Sequence, residues 1–394
     1  MSDTNYQSLE KTGAFERPEK RSKRSKIIII ASVVGFLVLV AAGIAVGVIV
    51  SNNNKEKSTG TTNSGTGTKS GTNANSADPS VFKKDSRLHR SLYGLAYTPE
   101  GSLPDYGCSS TLEQVILDVQ LMSQLTPRIR LYGADCNQTA LVLEAIRQTK
   151  VDLQVYLGNY VVDGDPGAYE RQRDVLKQAL MTYGSDNIAG LTVGNEFMLN
   201  YVTAHKIEDV NSPEADIGAQ VLIDNIADTR AMLASLNLPK AIPVGNSDAG
   251  SYFSTKVLEK VEYGLSNVHA WFANTTIEEA TPWVRNFFLE TNIQPASLLP
   301  NRPTMFLAET GWPTGSKDAG NANNGFADAS TANLQKFLDD FVCQANADGL
   351  PYFFFEYFDE EWKDAKYGGV EGYWGLFNKD RTLKDVKIPT CLSP

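Results

Sequence analysis

The sequence predicts an α/β fold: a (β/α)8 TIM barrel preceded by one transmembrane helix and a disordered stalk. Three observations predict it. Residues 27–50 carry no charge, residues 51–80 are rich in Ser, Thr, Asn and Gly, and residues 81–394 alternate short apolar runs with helix-period segments. Alternating strand and helix units imply a parallel sheet, and eight strands imply that the sheet closes on itself.

Taken in chain order, the 1–26 tail holds seven basic residues (Lys11, Arg17, Lys20, Arg21, Lys23, Arg24, Lys26) and four acidic ones, for a charge of +3. Ile27 to Val50 follows as 24 uncharged residues. As a helix that run spans roughly 36 Å, enough for the ~30 Å hydrocarbon core of a bilayer. A cleavable signal peptide has a shorter apolar stretch nearer the N-terminus, and a buried helix would show some polar face. Basic flanks stay cytoplasmic, so the expected topology is single-pass type II, anchored in the lipid bilayer through 27–50. Of positions 51–79, 21 are Ser, Thr, Asn or Gly, with no aromatic and no large aliphatic residue. Such a stalk cannot bury enough apolar surface to offset the entropy of ordering it.

Beyond the stalk, candidate strands are 92–97, 128–132, 153–157, 188–193, 241–244, 267–271, 304–308 and 352–357. Helix-like segments between them are 111–125, 139–149, 168–183, 217–236, 254–261, 277–292 and 331–347. The fourth helix shows the 3.6-residue period most clearly, with Val221, Ile223, Ile226, Met232 and Leu233 spaced by polar residues. Composition excludes other classes. The chain has 42% hydrophobic and 21% charged residues, as a globular protein does, and a net charge of −10, which speaks against a nucleic-acid partner. No Gly-rich phosphate turn, HExxH pattern or CxxC motif occurs, so neither cofactor nor metal is expected.

Chemistry in such a barrel sits on the loops after the strand C-termini. Those loops offer carboxylates and aromatics. Glu196 and Glu309 each end an apolar strand, the fourth and the seventh, with no opposite charge nearby in sequence. Two carboxyls facing each other across the mouth suit glycoside cleavage, in which one protonates the leaving oxygen and the other attacks or activates water. Tyr97, Tyr132, Trp271 and Trp312 would offer flat apolar faces to sugar rings, with Asn195 and Asp248 as hydroxyl partners. A lone glutamate at a strand end is more often solvated or ion-paired, and rim aromatics more often cap the core. Two such glutamates on strands four and seven are harder to set aside.

The segments 92–99 (LYGLAYTP), 129–136 (IRLYGADC), 193–196 (VGNE), 308–313 (AETGWP), 358–363 (FDEEWK) and 374–381 (WGLFNKDR) resemble glycoside hydrolase family 17 in order and spacing. In particular they are similar to its fungal membrane-anchored branch of glucan endo-1,3-β-glucosidases. The resemblance implies a retaining endo-hydrolase of β-1,3-glucan in cell-wall remodelling. Glu196 matches the acid/base, Glu309 the nucleophile, and Glu360 and Lys363 positions near the substrate. It leaves open a β-1,3-glucanosyltransferase, and a surface glucan-binding protein without activity. The acid, Glu196, should have its pKa raised by the neighbouring carboxylate, and neither glutamate is expected to anchor the core. Asp135 and Glu356 read as structural charges.

Four cysteines allow three pairings. Cys108–Cys136 joins loops after neighbouring strands, and Cys343–Cys391 ties the C-terminal tail to the last long helix; both are expected. Sequons at Asn137 and Asn274 are candidate glycosylation sites.

Overall fold

The computed structural model describes residues 78–394. The expected cytoplasmic tail (1–26), membrane span (27–50) and all but the last residues of the stalk (51–80) lie outside the described residues. Among the described residues no helix is long and apolar enough to cross a membrane.

Eight parallel strands close a barrel in sequence order: β1 (Gly94–Ala96), β2 (Arg128–Arg130), β3 (Gln154–Asn159), β4 (Ile188–Asn195), β5 (Val244–Ala249), β6 (Tyr263–Asn267), β7 (Thr304–Thr310) and β8 (Tyr352–Phe354). The longer helices around it are α1 (Leu112–Met122), α2 (Gln138–Thr149), α3 (Pro166–Tyr183), α4 (Phe197–His205), α5 (Asp216–Ser235), α6 (Thr255–Leu258), α7 (Ile277–Phe288), α8 (Gln294–Ser297), α9 (Thr331–Ala347) and α10 (Glu361–Tyr367). Local signals start several of them. Thr111 and Gln114 form a reciprocal capping box on α1, and Asp165 caps α3 with Pro166 in its first turn.

The barrel interior is filled by rings. Tyr156, Tyr263, Phe306 and Phe353 meet there with centroids 5.2–6.5 Å apart. They fit because small residues face them: a Cβ on Gly245 would lie 2.1 Å from the Tyr263 ring. The outer faces of the strands pack against the helices through a second, larger apolar layer.

Two expected strands are displaced. The fifth runs over Val244–Ala249, not 241–244, and the sixth over Tyr263–Asn267, not 267–271. Both observed strands carry polar residues (Asn246, Ser247, Asp248, Ser266, Asn267) that are buried in hydrogen bonds, so an apolar pattern points to the wrong neighbours. The apolar run at Ala270–Ala273 forms a 3-10 turn beyond β6. The expected helix 277–292 ends at Phe288 and continues as a π turn. Helices α4 and α10 were not anticipated.

Both expected disulfides are present, Cys108–Cys136 and Cys343–Cys391. The chain enters and leaves at the end of the barrel where the strands begin. The Ser393 amide donates to the Arg90 carbonyl (3.2 Å), Arg128 donates to the Pro394 carbonyl (3.0 Å), and Gln120, near the end of α1, donates to Pro79 (2.8 Å).

Candidate active site

At the opposite end, the strand C-termini bring Glu196 and Glu309 into one hydrogen-bonded chain. Gly194, at φ +82°, turns the backbone out of β4, and Glu196, itself at φ 53°, begins α4. Asp248, from β5, accepts the Met198 and Leu199 amides (2.8 and 3.2 Å) and so caps α4 just past Glu196. The Glu196 Oε1 accepts from Asn267 Nδ2 (2.9 Å). Asn267 in turn accepts from Arg130 (3.1 Å), and Arg130 donates to Glu309 Oε1 (3.2 Å). The other end of the Arg130 guanidinium donates to Asn195 (2.6 Å) and Ser247 (2.7 Å). One buried arginine thereby ties β2 to β4, β5, β6 and β7.

Glu309 also meets the His269 ring, Nε2 to Oε2 at 3.1 Å. The Tyr132 hydroxyl faces this carboxylate without meeting strict hydrogen-bond geometry, and Arg130 lies 4.4 Å over the Tyr132 ring.

These surroundings set the two carboxyls apart. Burial pushes Glu196 up to about 7, and the Glu309 charge adds to it against the Asn267 hydrogen bond. The neighbouring carboxylate is thus the second cause, after burial, where the sequence suggested it as the cause. Burial would also raise Glu309, but the His269 hydrogen bond and the Arg130 charge more than offset it and hold the group below its ordinary value of 4.5. Near neutral pH one carboxyl can donate a proton while the other is a carboxylate, the division that acid-assisted nucleophilic displacement needs. Glu309 also neutralises a buried arginine. Deleting it would strand that charge, so the expectation that Glu309 has little part in stability does not hold.

The remaining expected site residues divide. Asn195 and Tyr132 belong to the network. Glu360 and Lys363 sit after β8 as part of a buried triad: Lys363 pairs with both Glu356 and Glu360 and lies 4.4 Å over the Phe355 ring. Glu356, which burial and Glu360 push well up, is used internally by Lys363, and Asp135 is paired with Arg171; both are structural, as expected. Four residues are not sugar-facing. Tyr97 is buried, with its hydroxyl donated to Asp118 (2.8 Å). Trp271 and Trp312 are buried edge-to-face at 5.4 Å, and the Trp312 indole donates to the Asp328 carbonyl. Asp248 is buried under α4. The loops fold over these side chains and use them internally.

Sequence reasoning missed Arg130, Asn267, Ser247 and His269. A signal existed for Arg130: an arginine amid the apolar residues Ile129 and Leu131 must find partners inside the barrel. Glu371 was missed as well: its charge helps to raise Glu196, and it is itself raised by burial and by Glu309.

Comparison with known proteins agrees with this geometry. A family model described as the BtgE/BtgC glycoside hydrolase domain matches residues 94–375. The chain belongs to that family. Among curated relatives, the BtgE/BtgC domain here is 31% identical over 332 residues to the probable glucan endo-1,3-beta-glucosidase btgC of Aspergillus flavus, covering 81% of this chain and 46% of the relative. It is 31% identical over 319 residues to the glucan endo-1,3-beta-glucosidase btgC of Emericella nidulans, covering 77% and 47%. The chain thus spans less than half the length of these relatives. In fold, the domain is similar to a glycoside hydrolase family 17 beta-1,3-glucanosyltransferase from Rhizomucor miehei (TM-score 0.60, 23% identity, 76% of this chain and 97% of that one). An active-site mutant of the same enzyme, in complex with laminaritriose, gives a TM-score of 0.61 at 22% identity, covering 76% and 98%. The motif resemblance to family 17 is borne out.

Proposed function

We propose that this BtgE/BtgC domain cleaves internal bonds of β-1,3-glucan by double displacement with retention. The observation that carries the reading is the pair of oppositely poised carboxyls, Glu196 and Glu309, joined through Asn267 and Arg130. Glu309 attacks the anomeric carbon as the glycosidic bond breaks, and Glu196 gives its proton to the leaving oxygen. Glu196, now a carboxylate, then takes a proton from water, which displaces Glu309 and releases the sugar with its original configuration. Arg130 and His269 hold the nucleophile ionised and aimed. The names of the curated relatives support β-1,3-glucan as the substrate. Transfer to a second glucan is the same chemistry with a sugar hydroxyl in place of water; products longer than the starting oligosaccharide would reveal it.

Proton NMR of the first-formed anomer tests the mechanism, with β expected and α overturning it. Glu309→Ala should abolish turnover. Glu196→Ala should still cleave an aryl glycoside, whose leaving group needs little protonation, and azide should rescue its second step.

The same reading places the domain outside the plasma membrane, facing the cell wall, with residues 27–50 in the bilayer and glycans on Asn137 and Asn274. The basic block before Ile27, the two disulfides and the exposure of both asparagines support it. Protease added to wall-stripped intact cells should remove the barrel and spare a tag at Met1; the reverse pattern would invert the topology.

A further inference from the structure

The rings expected to meet sugar are enclosed, yet other rings stand open at the mouth. Tyr106, in the 3-10 turn after β1, is 44% exposed; Tyr367, at the end of α10, is 56% exposed; Tyr160, just after β3, is 37% exposed. Trp362, half-buried, stands between the first two, with its ring centroid 6.4 Å from Tyr106 and 6.2 Å from Tyr367. Tyr160 follows β3 directly, so it stands at the same mouth, where the strand C-termini also carry Glu196 and Glu309. Exposed rings thus stand after β1, after β3 and on α10 beyond β8, around the mouth that holds Glu196 and Glu309.

Single exposed rings are ordinary on a protein surface. Three rings in contact at the rim of a mouth that holds two carboxyls are not, and this group is held in place. The Trp362 indole N–H donates to Oε1 of buried Glu360 (3.1 Å). Lys363 lies 5.7 Å from the Trp362 centroid and Lys366 5.3 Å from that of Tyr367. Rings fixed beforehand lose little freedom when a ligand settles on them. Flat apolar faces with polar groups at their margins match a pyranose, whose ring carbons are apolar and whose edge is hydroxylated.

We propose that Tyr160, Tyr367, Trp362 and Tyr106 form a ledge that binds glucosyl units beyond the bond being cleaved, so that preference for long chains resides in α10 and the loop after β1. The occupant is the β-1,3-glucan chain itself, because the ledge borders the same barrel mouth that holds Glu196 and Glu309; the proposal rests on the substrate reading above.

The test compares wild type with Trp362→Ala, Tyr367→Ala and the double variant on β-1,3-linked oligosaccharides of increasing length and on an aryl β-glucoside. The loss in kcat/KM should grow with chain length and appear mainly in KM. On the longest substrates the double variant should lose about tenfold or more, and Trp362→Phe with Tyr367→Phe should restore most of it. Unchanged melting temperatures are expected, since these side chains are largely at the surface. The same loss at every length, or no loss, would overturn the ledge. A wild type that cleaves the aryl glucoside but no β-1,3-glucan would overturn the substrate reading, and the ledge's occupant with it. That outcome is visible before any substitution is made.

Discussion

At the level of single residues, the site works by giving two chemically identical side chains different neighbours. Glu196 has burial, a nearby carboxylate and one amide donor; Glu309 has an arginine and a histidine. The pH dependence follows. In the proposed mechanism the group raised to about 7 is the acid and must be protonated, so kcat/KM should fall as pH rises through about 7. The nucleophile must be ionised and lies below 4.5, so the acid limb should fall below that value. Replacing Glu196 by Gln should remove the alkaline limb along with most of the rate, measured as kcat/KM against pH on an unactivated oligosaccharide. An alkaline limb that persists in the variant would assign it to another group.

At the level of elements, Glu196 is placed by the start of α4, which depends on Asp248 from the next strand. Asp248→Ala would leave the Met198 and Leu199 amides buried without an acceptor, at a cost of about 1–3 kcal/mol. It would also loosen the turn that carries Glu196. The expected result is a lower denaturation midpoint together with a lower kcat, while Asp248→Asn, which keeps one acceptor oxygen, recovers part of both. How far the sequence could be read follows the same division. The apolar strands β3, β4 and β7 were legible, and with them Glu196 and Glu309, because an apolar run that stops at a carboxylate is conspicuous. Strands β5 and β6 were misplaced because their residues satisfy one another through buried hydrogen bonds rather than through apolar contact. Such partners are distant in sequence: Arg130 and Glu309 are 179 positions apart. The sugar-facing rings were misassigned for a related reason. Tyr97 and Trp312 look like Tyr367 and Trp362 in composition, and only the folding of the loops decides which are covered.

At the level of the molecule, the seam between β1 and β8 closes with strands of three residues each and is braced from outside. Arg381 pairs with Asp118 and Glu100, and Asp118 also accepts from Tyr97 and Tyr357, which flank the seam near the mouth. Ten residues later Cys391 is bonded to Cys343 on α9. The 382–390 segment therefore spans from the mouth to the base. Replacing both Cys343 and Cys391 by Ser should lower stability by about 4 kcal/mol on loop-closure grounds, given a separation of 48 residues. Chemical denaturation would show it as a lower midpoint. An unchanged midpoint would mean that the tail is already held by the Asn346 side chain, which donates to the Leu392 carbonyl (3.0 Å), and by the Ser393 amide.

Because Asp78 and Pro394 both lie at the base, the domain has a handle at one end and a mouth at the other. Any leash joined at Asp78 pulls on the end opposite the catalytic carboxyls. A flexible leash lets the barrel turn, but the mouth still stands a full barrel length farther from the attachment point than the base does. With the leash extended, the mouth sits at the far edge of the volume the domain sweeps. Material lying flat against an anchoring surface is met only when the barrel folds back on its leash.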